Sequence, residues 1–194
     1  MEITAELVKE LRDKTGVSVM QCKKALEEAG GDVNKAIDVL SRKSADVAKK
    51  KGSRELAAGA VACYLHAGAQ VGAMVLVSSE TDFVSRNPEF QLLAREIAMH
   101  AAAMRPQYVR REDVSMQALQ ELRDLFEPDA ADKPAGVREK VVEGKVLARL
   151  GELVLLEQPF IKDPGKKIAT LLDGASQKFG ERIEISRCTV FSVK

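Results

Sequence analysis

The sequence predicts an α+β protein: an N-terminal three-helix bundle, a linker, and a core made of a small antiparallel sheet packed with helices. Three observations carry this expectation. Apolar residues recur at helical spacing through residues 3–43. The period changes to two across residues 56–79. A strand-like segment, Arg182–Val193, closes the chain after a run of amphipathic helices. The expected divisions are a helical module over residues 1–43, a linker over 44–55 and the α+β core over 56–194.

In the first helix Leu7, Val8 and Leu11 share one face. Thr4 stands ready to cap it and Gly16 to end it. Ser18 caps the second, with Gln21 placed for a capping box, and Gly30-Gly31 stops it. Asp32 caps the third, where Val33, Ala36, Ile37 and Leu40 repeat at helical spacing. Arg42–Arg54 is rich in Lys, Ser and Ala and loses apolar periodicity, as a partly helical linker does. Val61, Cys63 and Leu65 then alternate with Ala62, Tyr64 and His66. Ala67-Gly68-Ala69-Gln70 supplies a hairpin turn, and Gly72–Ser78 returns as a second strand.

Asn87 and Pro88 open a long helix whose expected buried stripe is Phe90, Leu93, Ile97, Ala101 and Met104; Arg105-Pro106 ends it. Further helices are expected over 113–126, with Leu119, Leu122 and Phe126 inward, and from Val137 to about Leu156, with Val137, Val141, Val146 and Leu150 inward. Gln158-Pro159-Phe160 reads as a turn. A last helix is expected to open at Asp163-Pro164, with Ile168, Leu171, Leu172 and Phe179 inward. Along the closing strand the alternation slips near Arg187, as at a bulge. Three strands with helices on one face leave the other face open, an invitation to dimerise or to bind a partner.

A hydrophobic content of 45% and charged content of 30% predict a packed core. A net charge of +1 gives no field for DNA or anionic lipid and points to a protein partner or a small ligand. No apolar run is long enough to span a bilayer, no secretory signal is visible, and three widely spaced cysteines fit a reducing cytoplasm. The two histidines, His66 and His100, have no partners at triad spacing. There is no phosphate-binding glycine loop and no metal-ligand cluster, so neither bond-making catalysis nor a cofactor is expected. Lys49-Lys50-Lys51 has no accompanying aromatics and reads as a solvated linker rather than a nucleic-acid contact.

One stretch stands apart. Glu80-Thr81-Asp82-Phe83-Val84-Ser85-Arg86-Asn87 connects the second strand to the long helix and sets an aromatic directly after a carboxylate. On its own residues, Phe83 is open between folding back into the core and facing a partner. Met20 is equally open between core and surface, and His66 between a satisfied strand end and an interface. Cys22, beside Lys23 and Lys24, suits packing in a helix interface better than reactivity.

That stretch, together with Thr4–Arg12, Lys14-Thr15-Gly16, Met20–Leu26, Glu143-Gly144-Lys145 and Leu155–Phe160, resembles the elongation factor Ts family in order and spacing, from Ile3 to about Phe191. The resemblance implies a guanine-nucleotide exchange factor for elongation factor Tu. Such a factor binds the GTPase in its nucleotide-free or GDP-bound form and leaves when GTP enters. It implies that the N-terminal bundle is similar to a ubiquitin-associated domain and docks through Lys9, Arg12, Val19, Met20, Cys22 and Lys23. It implies that Thr81, Asp82, Phe83 and Val84 dislodge the magnesium ion of the GTPase, and that His66 reaches the third domain of the GTPase. Val19 stands where the family often has methionine. The chain has room for one core repeat where the family's long form has two, so a homodimer is expected, with the open sheet face as its interface. The competing readings are an adaptor that recruits a partner through the bundle and an RNA-binding protein using the linker lysines. The Asp82-Phe83 pair and the balanced charge favour the exchange factor over both.

Overall fold

The computed structural model describes residues 3–50 and 54–193, with residues 44–50 and Ala135 described by backbone alone. The architecture is α+β. Helices α1 (Ala5–Thr15), α2 (Val19–Glu28) and α3 (Val33–Lys50) come first. Strands β1 (Ala58–Leu65) and β2 (Val71–Ser79) follow, then a one-turn helix α4 (Asp82–Ser85) and the long α5 (Pro88–Met104). Next come α6 (Met116–Phe126), α7 (Ala135–Leu153), the short strands β3 (Pro159–Phe160) and β4 (Asp163–Lys167), α8 (Ile168–Phe179) and β5 (Glu184–Ser192). The main sheet has the order β1-β2-β5, and β3 pairs antiparallel with β4. The chain divides into two compact units. One comprises Met1–Ala60, Val77–Gln91 and Thr170–Glu184; the other comprises Val61–Leu76, Leu92–Ala169 and Ile185–Lys194.

In the first unit the caps of the bundle are those the sequence specifies. Thr4 Oγ1 accepts from the Leu7 N–H, and Gly16 at φ 68° closes α1 by donating its N–H to the Arg12 carbonyl at 2.7 Å. Ser18 Oγ accepts from the Gln21 N–H and donates to Gln21 Oε1 at 2.9 Å, a variant of the expected box in which the Gln side chain returns to the hydroxyl. Asp32 Oδ1 accepts from the Asn34 and Lys35 N–H groups. Val8, Leu11, Val17, Cys22, Ala25, Leu26, Ala36 and Leu40 make the bundle core. Helix α3 continues to Lys50, into the segment expected as linker. Lys51 and the two residues after it lie outside the described residues, as do the side chains of Lys49 and Lys50. Elsewhere in this unit Phe90 and Phe179 meet edge to face with centroids 6.1 Å apart.

In the second unit α6 and α7 pack through Val114, Val146, Leu150 and Val154, with Leu119, Leu122 and Phe126 against them as expected. Val137 and Met104, both expected inward, are exposed at 47% and 42%. Each lies near a helix end, where the apolar stripe has run past its partners. The larger departure is at residues 159–167. An expected turn and helix start are a two-stranded hairpin, and α8 begins only at Ile168. Pro159, Pro164 and Gly165 deny this stretch a helix. The hairpin is fixed from outside by His100, which is fully buried. His100 Nε2 bonds Gln158 Oε1 at 2.9 Å, its Nδ1 accepts the Ile161 N–H at 3.3 Å, and Phe160 packs on its ring. Burial lowers the His100 pKa below its ordinary value, against the opposing effect of the Gln158 bond. On β5, Ser186 and Arg187 are exposed in succession, at the place where the alternation slips.

Candidate functional site

The segment between β2 and α5 is a hydrogen-bonded turn with an exposed tip. β2 ends with Ser78 and Ser79 buried, and the chain then emerges. Thr81–Val84, expected as a loop, enter the single turn α4, which Asn87 follows by capping α5 through the Glu89 N–H. Within that turn Val84 is 3% exposed and Phe83 is 82% exposed. Val84 and Ser85 therefore anchor the turn while Asp82 and Phe83 project from it. Ser85 Oγ donates to the Asp82 carbonyl, and Ser79 Oγ to the Thr81 carbonyl. The Asp82 carboxylate meets Arg86 at 2.9 Å, with both side chains in solvent, so the pair adds little stability.

Beneath the tip lies a polar clamp. Thr81 donates twice to the Glu181 carboxylate, from its N–H at 3.0 Å and its hydroxyl at 2.5 Å. Its hydroxyl oxygen accepts no N–H of α4. Glu80 pairs with Arg54 at 3.0 Å and accepts the Arg182 N–H at 2.5 Å. The Arg182 guanidinium reaches the Arg54 carbonyl and the Glu184 carboxylate. The sequence marks Thr81 by its place beside Asp82-Phe83, and nothing in it marks Arg54, Glu181 or Arg182 for this role. Glu181 is 100 residues from Thr81 along the chain. The local signal is confined to Gly180, whose φ of 73° ends α8 and sets a Glu-Arg pair just ahead of β5.

The tip of the bundle is a second exposed feature. Val19 and Met20 open α2 at 51% and 70% exposure, and Lys9, Arg12 and Lys23 are exposed. Cys22 is fully buried, with its Sγ directed at the Val17 carbonyl at 3.5 Å. It offers no surface to a partner, because it sits on the face of α2 that packs into the bundle. His66 stands in the second unit, exposed at the β1–β2 turn. Tyr64 Oη bonds its Nδ1 at 3.1 Å and so orients the ring. On the same unit's sheet, Val61, Leu65, Met74 and Phe191 are exposed at 63%, 68%, 50% and 68%, beside the exposed Cys63. Burial pushes the Cys188 thiol on β5 up to about 11, so it is protonated and a poor nucleophile at neutral pH.

Fold and surfaces define the class: an α+β protein of a helical bundle and a sheet-and-helix core, with apolar tips held out on hydrogen-bonded bases. Among the described residues no group of three or more His, Cys, Asp or Glu is placed to hold a metal ion, and no helix is long and apolar enough to cross a membrane. The family model described as elongation factor TS matches residues 2–194. An elongation factor Ts of Thermodesulfovibrio yellowstonii is 47% identical over 194 residues, covering all of this chain and 97% of the relative. Those of Carboxydothermus hydrogenoformans and Thermosipho melanesiensis are each 45% identical over 193 residues. They cover 98% of this chain and 89% and 98% of the relatives. The chain belongs to the elongation factor Ts family, which places it among the elongation factors of protein synthesis.

Proposed function

We propose that this protein is a cytoplasmic guanine-nucleotide exchange factor for elongation factor Tu, acting without bond-making chemistry. The observation that carries the reading is Phe83, 82% exposed on a turn whose base is hydrogen-bonded at Thr81 and anchored by Val84. A large ring held in water on a hydrogen-bonded support gains roughly 1.5–3 kcal/mol when a pocket receives it. Inserted into the GTPase, Asp82 and Phe83, framed by Thr81 and Val84, displace the loops that order the magnesium ion. GDP depends on that ion and on phosphate contacts, so many contacts weaken together. Linkage requires the converse: nucleotide weakens the factor's hold by the same factor, and entry of GTP releases it. A wedge that bound both states of the GTPase alike would shift nothing.

The 1–43 module is read as a ubiquitin-associated-like bundle that docks on the GTPase through Lys9, Arg12, Val19, Met20 and Lys23, with Cys22 holding α2 in place behind them. The 44–55 segment links it to the 56–194 core. His66 at the hairpin turn makes a further contact with the GTPase. The exposed apolar residues Val61, Leu65, Met74 and Phe191 support a homodimer formed through the open sheet face. An adaptor using the bundle alone would leave the supported exposure of Phe83 without a use. Release of fluorescent GDP from elongation factor Tu tests the reading: the protein accelerates it, and Phe83→Ala loses most of the acceleration.

A further inference from the structure

The polar clamp under the turn does more than close a surface. We infer that Glu181 is a positioning residue for the exchange turn, holding Thr81 so that Asp82 and Phe83 are presented in one geometry. The inference rests on the exchange reading and concerns the same site.

Three features carry it. The Glu181 carboxylate takes both donors of Thr81, its N–H at 3.0 Å and its hydroxyl at 2.5 Å. Two bonds to one carboxylate fix the direction of the peptide entering α4 as well as its place. Next, Thr81 occupies the N-cap position of α4 with extended geometry, φ −126° and ψ 159°, yet its hydroxyl makes no cap bond. A threonine there ordinarily satisfies the helix's own free N–H groups. Here the hydroxyl donates to Glu181 and its oxygen takes no N–H of the helix, so the start of the turn is held by a remote residue and not by its own cap. Last, the neighbouring positions of the two segments are joined as well: Glu80 takes the Arg182 N–H at 2.5 Å and pairs with Arg54 at 3.0 Å. Residues 80–81 and 181–182 are thus bound by successive crossing bonds, with the projecting residues Asp82 and Phe83 immediately beyond them.

A four-residue helix does not hold its shape from local bonds alone. Without the clamp the ring would sample many orientations, and each encounter with the GTPase would bear the cost of ordering it. Glu181 acts through Phe83 and has no need to touch the partner itself.

The test is stopped-flow release of fluorescent GDP from elongation factor Tu by the full chain, as wild type, Glu181→Gln, Phe83→Ala and the double variant, with thermal midpoints measured alongside. Glu181→Gln keeps the side chain's size and removes its charge, so the bonds to Thr81 are no longer charge-assisted. The expected result is a maximal release rate about tenfold lower, as for loss of one charge-assisted bond. The half-saturating concentration should change less than twofold, and the thermal midpoint should stay near wild type. In the Phe83→Ala background the same change should cost nothing further. Thr81→Val, which removes only the hydroxyl bond, gives the same test with Glu181 intact should Glu181→Gln fold poorly. Full activity in both variants, or an equal loss from Glu181→Gln with and without Phe83, overturns the positioning role. Failure of the wild type to accelerate release overturns the exchange reading itself, which separates the two.

Discussion

Single side chains do their work here through what encloses them. His100 is fully buried, and its neutral ring accepts the Ile161 N–H at Nδ1 while bonding Gln158 at Nε2. Its folded pKa lies below the ordinary value of 6.5, so the unfolded chain binds a proton more readily. The sign follows: stability from this residue is complete above about 6.5 and falls as pH drops from there toward the folded pKa. Urea midpoints measured from pH 7.5 to 5 should decline, and His100→Gln should flatten that decline. An unchanged slope in the variant would show that other groups cause it. Nothing local in the sequence announces this role. A histidine among alanines on α5 and a glutamine 58 residues later pair only because the fold brings them together. The same distance effect hides Glu181 behind Thr81, whereas Thr4, Ser18 and Asp32 cap within three residues and are legible as written.

At the scale of elements, periodicity was a good guide wherever an element answers to its own neighbours. The β1–β2 hairpin, α5 and the starts of the bundle helices stand where spacing and caps put them, while α3 runs on past residue 43. The β3–β4 hairpin does not, because its short strands are held by His100 and Phe160 rather than by any repeat. Helix α2 shows both sides of this. Its packed face, with Cys22, Ala25 and Leu26, follows the 3.6 period, but the period alone did not decide that Met20 faces solvent. On the docking proposal, Met20→Ser should weaken binding to nucleotide-free elongation factor Tu by roughly 1–2 kcal/mol, the apolar area of one partly buried side chain. The helix itself should keep its stability, since Met20 contributes nothing to the core. Calorimetric titration measures the first and thermal melting the second. Unaltered affinity would remove α2 from the docking surface.

Across the whole molecule, the sheet leaves Val61, Leu65, Met74 and Phe191 in solvent. The sequence anticipates such a face, since three strands cannot cover both of their sides, but not which residues line it. A homodimer formed there should sediment as two chains at micromolar concentration, and Met74→Glu should shift it to monomer by burying a charge in an apolar contact. Wild type sedimenting only as monomer would contradict the dimer. The wedge is tested most directly by the release of fluorescent GDP from elongation factor Tu with wild type and Phe83→Ala side by side. Wild type should accelerate release strongly, and the variant should lose roughly 10- to 100-fold, the worth of burying one phenylalanine ring. Equal acceleration by both would contradict the wedge.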